Sequence, residues 1–261
     1  MKTRSPIVIG NWKMNPPSLS HAQQIFLDIK TGLGRKKRVT QVGIAPPFPF
    51  LKTIHTLNAQ EHVSLWSQSI AEHKAGAHTG SVSLAMVMSV GVSGVILGHS
   101  ECRAAGETDE SIQAKLALVL QQSLPVTVCI GESKRDSDGA FYAFLETQIR
   151  SLVSVVPKRK LHLLTIAYEP IWAIGSGNSA SPADIHEIKL YIQKCLADQC
   201  GRTSLTKVAI LYGGSVSAKN ATELIRESAV DGFLVGGASL RATEFVSIIN
   251  SVETYAHETI L

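Results

Sequence analysis

Residues that could move protons occur singly, each just after a short apolar segment of the chain. Glu169 follows one such segment, His99 follows another, and Lys13 stands two residues after Asn11. A carboxylate, an imidazole and an ammonium are the groups that acid–base chemistry beside a carbonyl uses. Each also has an ordinary interpretation, as a loop acid, a structural histidine or a surface lysine. The candidate set, in chain order, is Asn11, Lys13, His99, Glu101, Glu132, Glu169, Ser215, Gly236 and Gly237.

Two glycine pairs follow the last two apolar segments, Gly213-Gly214 and Gly236-Gly237. Without a Cβ, such residues let backbone N–H groups approach a phosphate closely, and a helix that starts there favours negative charge. A single pair would indicate a tight turn. Two pairs at neighbouring positions leave phosphate binding and turn formation both open.

The segment 170–177 differs from an ordinary exposed loop. It is apolar, contains Trp172, and includes Gly175 and Gly177 at its end. A lid has this composition, because apolar groups exclude water when it closes and flexible ends absorb the motion. A loop packed beneath a neighbouring helix is the alternative.

The elements that must position these residues are eight short segments rich in Val, Ile and Leu. They are apolar on both alternating faces, which is typical of strands in a buried parallel sheet. The predicted strands are residues 7–12, 42–45, 63–68, 94–97, 126–130, 163–168, 208–212 and 232–235.

Helical spacing of apolar residues separates the predicted strands. Stripes with steps of three and four run from Leu19 to Leu33, from Ile112 to Leu120 and from Ile185 to Cys195. Such spacing places each apolar set on one helix face, which can pack against the sheet. Ser181 followed by Pro182 predicts the start of the third helix.

The alternation of eight strands with helices predicts one domain, residues 1–261, with an α/β fold of the (β/α)8 barrel type. A doubly wound open sheet is the alternative, but its usual glycine fingerprint is missing after the first strand. A parallel barrel carries its active site at the carboxyl ends of its strands, where the candidate residues fall.

The composition sets further limits. Lys plus Arg number 25 against 21 Asp plus Glu, a formal charge of +4, and the basic run 35–38 lacks aromatic neighbours. We interpret that run as a solvated loop or helix end rather than a nucleic-acid site. The four cysteines form neither a CxxC pair nor a metal-type cluster. No signal peptide or membrane span is evident, so we expect a cytoplasmic protein without a membrane partner.

The sequence resembles the triosephosphate isomerase family over essentially its whole length. Any one short motif could arise by chance, whereas six in the right order make an accident very unlikely. The motifs are Gly10-Asn11-Trp12-Lys13-Met14-Asn15, Leu97-Gly98-His99-Ser100-Glu101, Cys129-Ile130-Gly131-Glu132, residues 167–177 around Glu169, Tyr212-Gly213-Gly214-Ser215-Val216, and Val235-Gly236-Gly237-Ala238-Ser239-Leu240.

The resemblance implies interconversion of dihydroxyacetone phosphate and D-glyceraldehyde 3-phosphate through an enediolate, in glycolysis and gluconeogenesis, without cofactor or metal. Glu169 would remove the proton beside the carbonyl and return it to the adjacent carbon. His99 would polarise the carbonyl as a neutral electrophile and shuttle protons between the two oxygens. Lys13 would stabilise the enediolate charge, and Asn11 would lie beside the substrate oxygens.

Further residues take supporting roles in the resemblance. Glu101 would orient Lys13, and a homodimer is implied in which Thr79 reaches the partner's active site. The backbone groups expected to hold the phosphate are those of Gly175, Ser215, Gly236 and Gly237.

The sequence departs from the family pattern without losing a catalytic group. Cys102 stands beside Glu101 where a charged residue is usual. In the segment that resembles the partner-contacting loop, His78 replaces an aromatic residue and Ser81 an acid. At the end of the lid-like segment, Ser176 replaces a threonine and Asn178 a lysine.

Two other functions are compatible with a barrel. A binding or surface-interaction protein could use the barrel as a scaffold, although that hypothesis predicts a degraded catalytic set. An isomerase of a larger sugar phosphate would explain the glycines, but not the Asn11–Lys13 motif together with Trp172.

Overall fold

A computed structural model describes residues 4–58, 63–136, 138–173 and 180–260 of the chain. Within those residues, eight parallel strands close into a barrel in the order β1 to β8. The barrel is confirmed, and the alternative of an open sheet is wrong. The strands are β1 Ile7–Asn11, β2 Gln41–Ala45, β3 Ser64–Ser67, β4 Gly94–Leu97, β5 Val126–Ile130, β6 Leu164–Tyr168, β7 Ala209–Tyr212 and β8 Gly232–Val235.

Helices surround the barrel and return the chain to the start of the next strand. They are α1 Leu19–Leu33, α2 Leu51–Leu57, α3 Leu84–Ser89, α4 Ser100–Ala104, α5 Asp109–Gln121, α6 Ala140–Ser154, α7 Pro182–Cys200, α8 Ala221–Glu227 and α9 Ala242–Ile260. No helix of the described residues is long and apolar enough to cross a membrane.

The helical stripes read from the sequence lie on the buried faces of α1, α5 and α7. The prediction of a buried position is wrong for Leu19, which is 43% exposed at the first position of α1. The start of α7 is confirmed in detail. The Ser181 hydroxyl accepts from the Asp184 N–H at 3.1 Å, and the Asp184 carboxylate accepts from the Ser181 N–H at 3.0 Å. These paired bonds form a capping box with Pro182 in the first turn.

Two apolar clusters form the core. The larger fills the space between the barrel and its helices. The smaller lies inside the barrel, where alternate residues of each strand point inward. Its buried members are Ile9, Ala45, Trp66, Ile96, Cys129, Ala167, Leu211 and Leu234.

Candidate active site

The carboxyl ends of the strands enclose a cavity of about 270 Å³. The side chains that could transfer protons face it from β1, β4 and β6, which are far apart in sequence. The glycine pairs face it from β7 and β8, which lie between β6 and β1 in the closed barrel. Of the residues predicted from sequence, Asn11, Lys13, His99, Glu169, Ser215, Gly236 and Gly237 line this cavity.

Glu169 is held directly after β6 by its backbone and by its side chain. Its N–H donates to the Ile130 carbonyl at 2.8 Å, and its Oε2 accepts from the Ser100 N–H at 2.9 Å. The carboxylate is only 2% exposed. Among the described residues, Oε1 has no hydrogen-bond partner, so this oxygen is free to accept a proton.

Two glycines make room for this carboxylate and its backbone. A Cβ at Gly131 would lie 1.8 Å from the Glu169 carbonyl oxygen, and a Cβ at Gly213 would lie 2.8 Å from its Cγ. Side chains at either position would therefore displace the acid. Beneath it, burial and the Glu169 carboxylate raise the pKa of the Cys129 thiol well above its ordinary value, which keeps that sulfur protonated and unreactive.

His99 is fixed in one protonation form by the start of α4. Its Nδ1 accepts a hydrogen bond from the Glu101 N–H at 3.1 Å, so Nδ1 carries no proton. The neutral ring therefore carries its proton on Nε2, which lies 3.3 Å from Glu169 Oε1. A proton donor and a proton acceptor thus face the same cavity.

Lys13 has a backbone conformation that is uncommon for a residue with a side chain. Its φ is +54°, and three bonds hold it there. Its N–H donates to Asn11 Oδ1 at 3.0 Å, and its carbonyl accepts from Gln68 Nε2 at 2.9 Å. Its ammonium donates to Glu101 Oε1 at 2.7 Å. Burial opposes ionisation of Glu101, but the bond and charge of Lys13 lower the pKa of that carboxyl below its usual value.

The glycine pairs form the other wall of the cavity. Gly236 lies beside Lys13, because a Cβ there would be 3.4 Å from Lys13 Cε. A Cβ at Gly214 would lie 2.2 Å from the Tyr212 hydroxyl, so crowding explains that glycine. A Cβ at Gly237 would meet nothing within 4 Å. Nothing in the fold therefore requires glycine at position 237, whereas close approach of a ligand to the backbone would require it.

Two further residues predicted from the resemblance, Glu101 and Thr79, do not line this cavity. Glu101 reaches it only through Lys13. Thr79 is exposed on the loop between β3 and α3. Gly175 lies outside the described residues, as do Ser176 and Asn178.

Glu132, a candidate from its position after β5, serves another purpose. It is 1% exposed, and its Oε1 accepts from the Tyr168 hydroxyl and from Trp172 Nε1, both at 2.8 Å. The guanidinium of Arg135 lies 5.2 Å from the Trp172 ring and 3.3 Å from the same oxygen. Glu132 therefore anchors the described start of the lid-like segment and lies outside the cavity.

The sequence did not predict four residues that support or line this site: Ser100, Gln68, Arg241 and Glu244. Ser100 contributes its N–H, which any residue type would carry. Gln68 falls in a predicted strand, yet its side-chain Nε2 donates hydrogen bonds to the carbonyls of Lys13 and Ala45 at 2.9 and 2.8 Å. Arg241 and Glu244 form an ion pair at 2.5 Å on the rim of the cavity. No residue pattern signals these three contacts.

Comparison with known proteins identifies the family. The family model described as Triosephosphate isomerase matches residues 6–252. Triosephosphate isomerase of Pelodictyon phaeoclathratiforme is 38% identical over 250 residues, which cover 95% of this chain and 98% of the relative. The enzyme of Carboxydothermus hydrogenoformans is 39% identical over 251 residues (94% and 98%), and that of Chloroflexus aurantiacus 39% over 249 residues (95% and 99%). The resemblance read from the motifs is confirmed: the chain belongs to the triosephosphate isomerase family.

Proposed function

We propose that this enzyme interconverts dihydroxyacetone phosphate and D-glyceraldehyde 3-phosphate, with Glu169 as the base. The observation that carries the proposal is the facing pair in the cavity, a carboxylate oxygen without a hydrogen bond that lies 3.3 Å from Nε2 of His99. The relatives are triosephosphate isomerases, which agrees with this proposal.

The proton transfers balance without an added reactant. Glu169 takes a proton from the carbon beside the carbonyl, and the electrons of that C–H bond form a carbon–carbon double bond. The carbonyl oxygen gains the displaced electron pair, which the His99 Nε2–H and the Lys13 ammonium stabilise. His99 Nε2–H then protonates that oxygen, and the same nitrogen takes up the proton of the neighbouring hydroxyl, so the second oxygen becomes the carbonyl. Return of the proton from Glu169 to the neighbouring carbon completes the other triose phosphate. Substrate and product have the same formula, so neither a redox cofactor nor a metal is needed in this scheme.

The glycine pairs support a phosphate-bearing substrate. Ser215, Gly236 and Gly237 line the same cavity as Glu169 and His99, and the ammonium of Lys13 lies close to Gly236. Backbone N–H groups and one cation are a common setting for a phosphate dianion. The cavity of about 270 Å³ suits a three-carbon substrate better than a larger sugar phosphate.

A second copy of the chain belongs to this proposal. Met14 is 94% exposed, Met86 58% and Phe48 39%. Met14 and Phe48 follow β1 and β2, and Met86 lies on α3, which follows β3, so all three belong to the side of the barrel formed by these neighbouring strands. Exposed apolar groups concentrated in this way mark an interaction surface. On the adjoining loop, His73 and His78 stack with centroids 3.8 Å apart, and Thr79 follows them.

We place the enzyme in the cytoplasm as part of the same proposal, since all four cysteines are free and unpaired thiols are typical of a reducing compartment.

The proposed reaction is tested with purified protein in coupled assays run in both directions. In heavy water, dihydroxyacetone phosphate should also gain deuterium at the carbon that loses its proton, which is detected by NMR. Failure of both triose phosphates to react at millimolar concentration would overturn the proposal.

A further inference from the structure

A second cavity opens at the opposite end of the barrel, where the strands begin. Its volume is about 530 Å³, within the usual range for small-molecule sites. It shares no lining residue with the active-site cavity. Nothing in the proposed isomerase reaction uses it.

The cavity exists because most inward positions at this end of the barrel are small. Two residues before the members of the inner cluster stand Ile7, Gly43, Ser64, Gly94, Thr127, Thr165, Ala209 and Gly232, of which only Ile7 is large. A closed barrel usually fills such positions with branched side chains. Here they leave space that Trp66, from β3, fills only in part.

Trp66 lies across its two neighbouring strands, and the 7% of its surface that remains exposed borders this cavity. A Cβ at Gly43 or at Gly94 would lie 2.6 Å from the indole, so the ring covers both glycines. Its N–H donates to Ser64 Oγ at 2.8 Å, which in turn donates to the Val42 carbonyl at 2.9 Å. Because the polar atom is already satisfied, the part of the indole that borders the cavity can make only apolar contacts with a ligand.

An unsatisfied hydroxyl lies in the same layer. Thr127 is paired in register with Thr165, which lines the cavity. Its Oγ1 is buried and has no hydrogen-bond partner among the described residues. Buried hydroxyls of this kind are uncommon, but Thr127 itself does not line the cavity, whereas its register partner Thr165 does.

The rim of the cavity is cationic. Arg4, His162 and Lys207 line it, and no Asp or Glu does. The Arg4 guanidinium forms an ion pair with the Asp231 carboxylate at 3.2 Å. The ammonium of Lys207 has no hydrogen bond or ion pair with the described residues. The nearby loops 34–38, 158–162 and 201–207 are rich in Lys and Arg and contain no acid. Glu253 of α9 also reaches this end, where its carboxylate is held by two backbone amides. A cavity ringed by one sign of charge concentrates small anions.

We propose that the strand-start end of this barrel binds a small aromatic anion. The aromatic ring lies on the Trp66 indole in the small-residue layer, and the anionic group meets Lys207 and Arg4 at the rim. The ring accounts for the apolar floor, and the charge accounts for the absence of acids among the lining residues.

The probe for this site is 8-anilinonaphthalene-1-sulfonate, an aromatic sulfonate whose binding is followed by its own fluorescence. Lys207→Glu should weaken binding about tenfold, because an attraction between exposed charges becomes a repulsion. Lys52→Glu is the matched control, since Lys52 is an exposed lysine on α2 that does not line this cavity. It should change the Kd less than twofold. Equal effects of the two variants would overturn the proposal.

The location is tested separately, through tryptophan fluorescence. Bound probe should quench Trp66 most strongly, since Trp12 and Trp172 lie at the other end of the barrel, so Trp66→Phe should remove most of the quenching while isomerase activity is retained. Gly237→Ala, which alters only the active-site cavity, should leave probe binding unchanged. Weakened binding in Gly237→Ala, or undiminished quenching in Trp66→Phe, would place the probe elsewhere and refute the site.

Discussion

The proton-transferring pair is positioned by backbone groups rather than by neighbouring side chains. The Ser100 N–H holds one oxygen of Glu169, and the Glu101 N–H fixes the tautomer of His99. Both amides belong to the first residues of α4, directly after β4. The start of one short helix therefore sets both partners, and the side chains at positions 100 and 101 are not needed for these two bonds.

Replacing Glu169 with Gln should lower kcat by roughly 10³-fold and leave KM within about threefold. The amide keeps the shape of the side chain but cannot accept the proton. Coupled assays of the purified variant measure the effect, and a thermal melt checks that the fold is intact. A kcat within tenfold of the wild type would mean that another residue is the base.

Gly237→Ala should weaken the use of substrate without destabilising the fold. A Cβ there meets no atom within 4 Å, so the melting temperature should hold, while kcat/KM should fall roughly 10- to 100-fold because a charged phosphate can no longer approach the amide. Gly214→Ala is the comparison, since its Cβ would collide with the Tyr212 hydroxyl at 2.2 Å. That variant should lose stability. Unchanged kcat/KM in Gly237→Ala would remove this backbone from the phosphate site.

At the scale of elements, local patterns predicted the strands closely but not the contacts that join them. The apolar runs predicted all eight strands within one residue at each end, because buried parallel strands are apolar on both faces. The predicted strand ends that fall just outside the strands are Trp12, Val63, Gln68, Leu163 and Val208. Trp12 follows β1 and donates its N–H to the Ala45 carbonyl at 3.1 Å. The amide of Gln68 spans 55 residues to reach Lys13. Such a contact depends on strand register, which no local pattern contains.

One such long-range contact joins the last helix to the entry of β2. Glu253 on α9 accepts from the N–H groups of Val39 and Thr40 at 2.9 and 2.8 Å. Burial opposes its ionisation, but the bonds from Thr40 and Val39 prevail and lower the pKa of Glu253 below its ordinary 4.5. A carboxyl with a lowered pKa stabilises the fold above its ordinary pKa, and that contribution disappears as the pH falls through the folded value.

Glu253→Gln should therefore lower the free energy of unfolding by about 1 kcal/mol at neutral pH. The difference from wild type should shrink as the pH falls below 4.5. Urea unfolding across this pH range measures it. Glu227→Gln, at an exposed position that makes no hydrogen bond or ion pair with the described residues, is the control. A constant difference across the range would contradict the assignment.

At the scale of the molecule, the two ends of the barrel have different characters. The carboxyl end carries the six motifs by which the family was recognised. Each of them could be read from the sequence because it is a short continuous run of residues. The opposite end could not be read in that way. Its cavity depends on β2, β3 and β4 being in register, so that Trp66 meets Gly43 and Gly94, and no single segment shows this.

Association of two copies should depend on Met14. Met14→Glu places a charge at a 94% exposed position of the apolar surface, so sedimentation at micromolar concentration should show a monomer, whereas the wild type should sediment as the proposed dimer. Phe144→Glu alters a 51% exposed apolar residue on α6 and should leave the proposed dimer intact. A wild-type chain that sediments as a monomer would contradict the proposed assembly.

The left-handed backbone of Lys13 carries a thermodynamic consequence. In the left-handed region of backbone conformation, a residue with a side chain is less stable than glycine by roughly 1 kcal/mol. The hydrogen bonds with Asn11 and Gln68 hold Lys13 in this conformation. A more stable barrel is thus available to this sequence by placing glycine at position 13, but that barrel would lack the ammonium. The fold tolerates local instability at the residue that fixes a charge beside the reacting oxygen, so selection for thermal stability alone would be expected to erode activity at this position first.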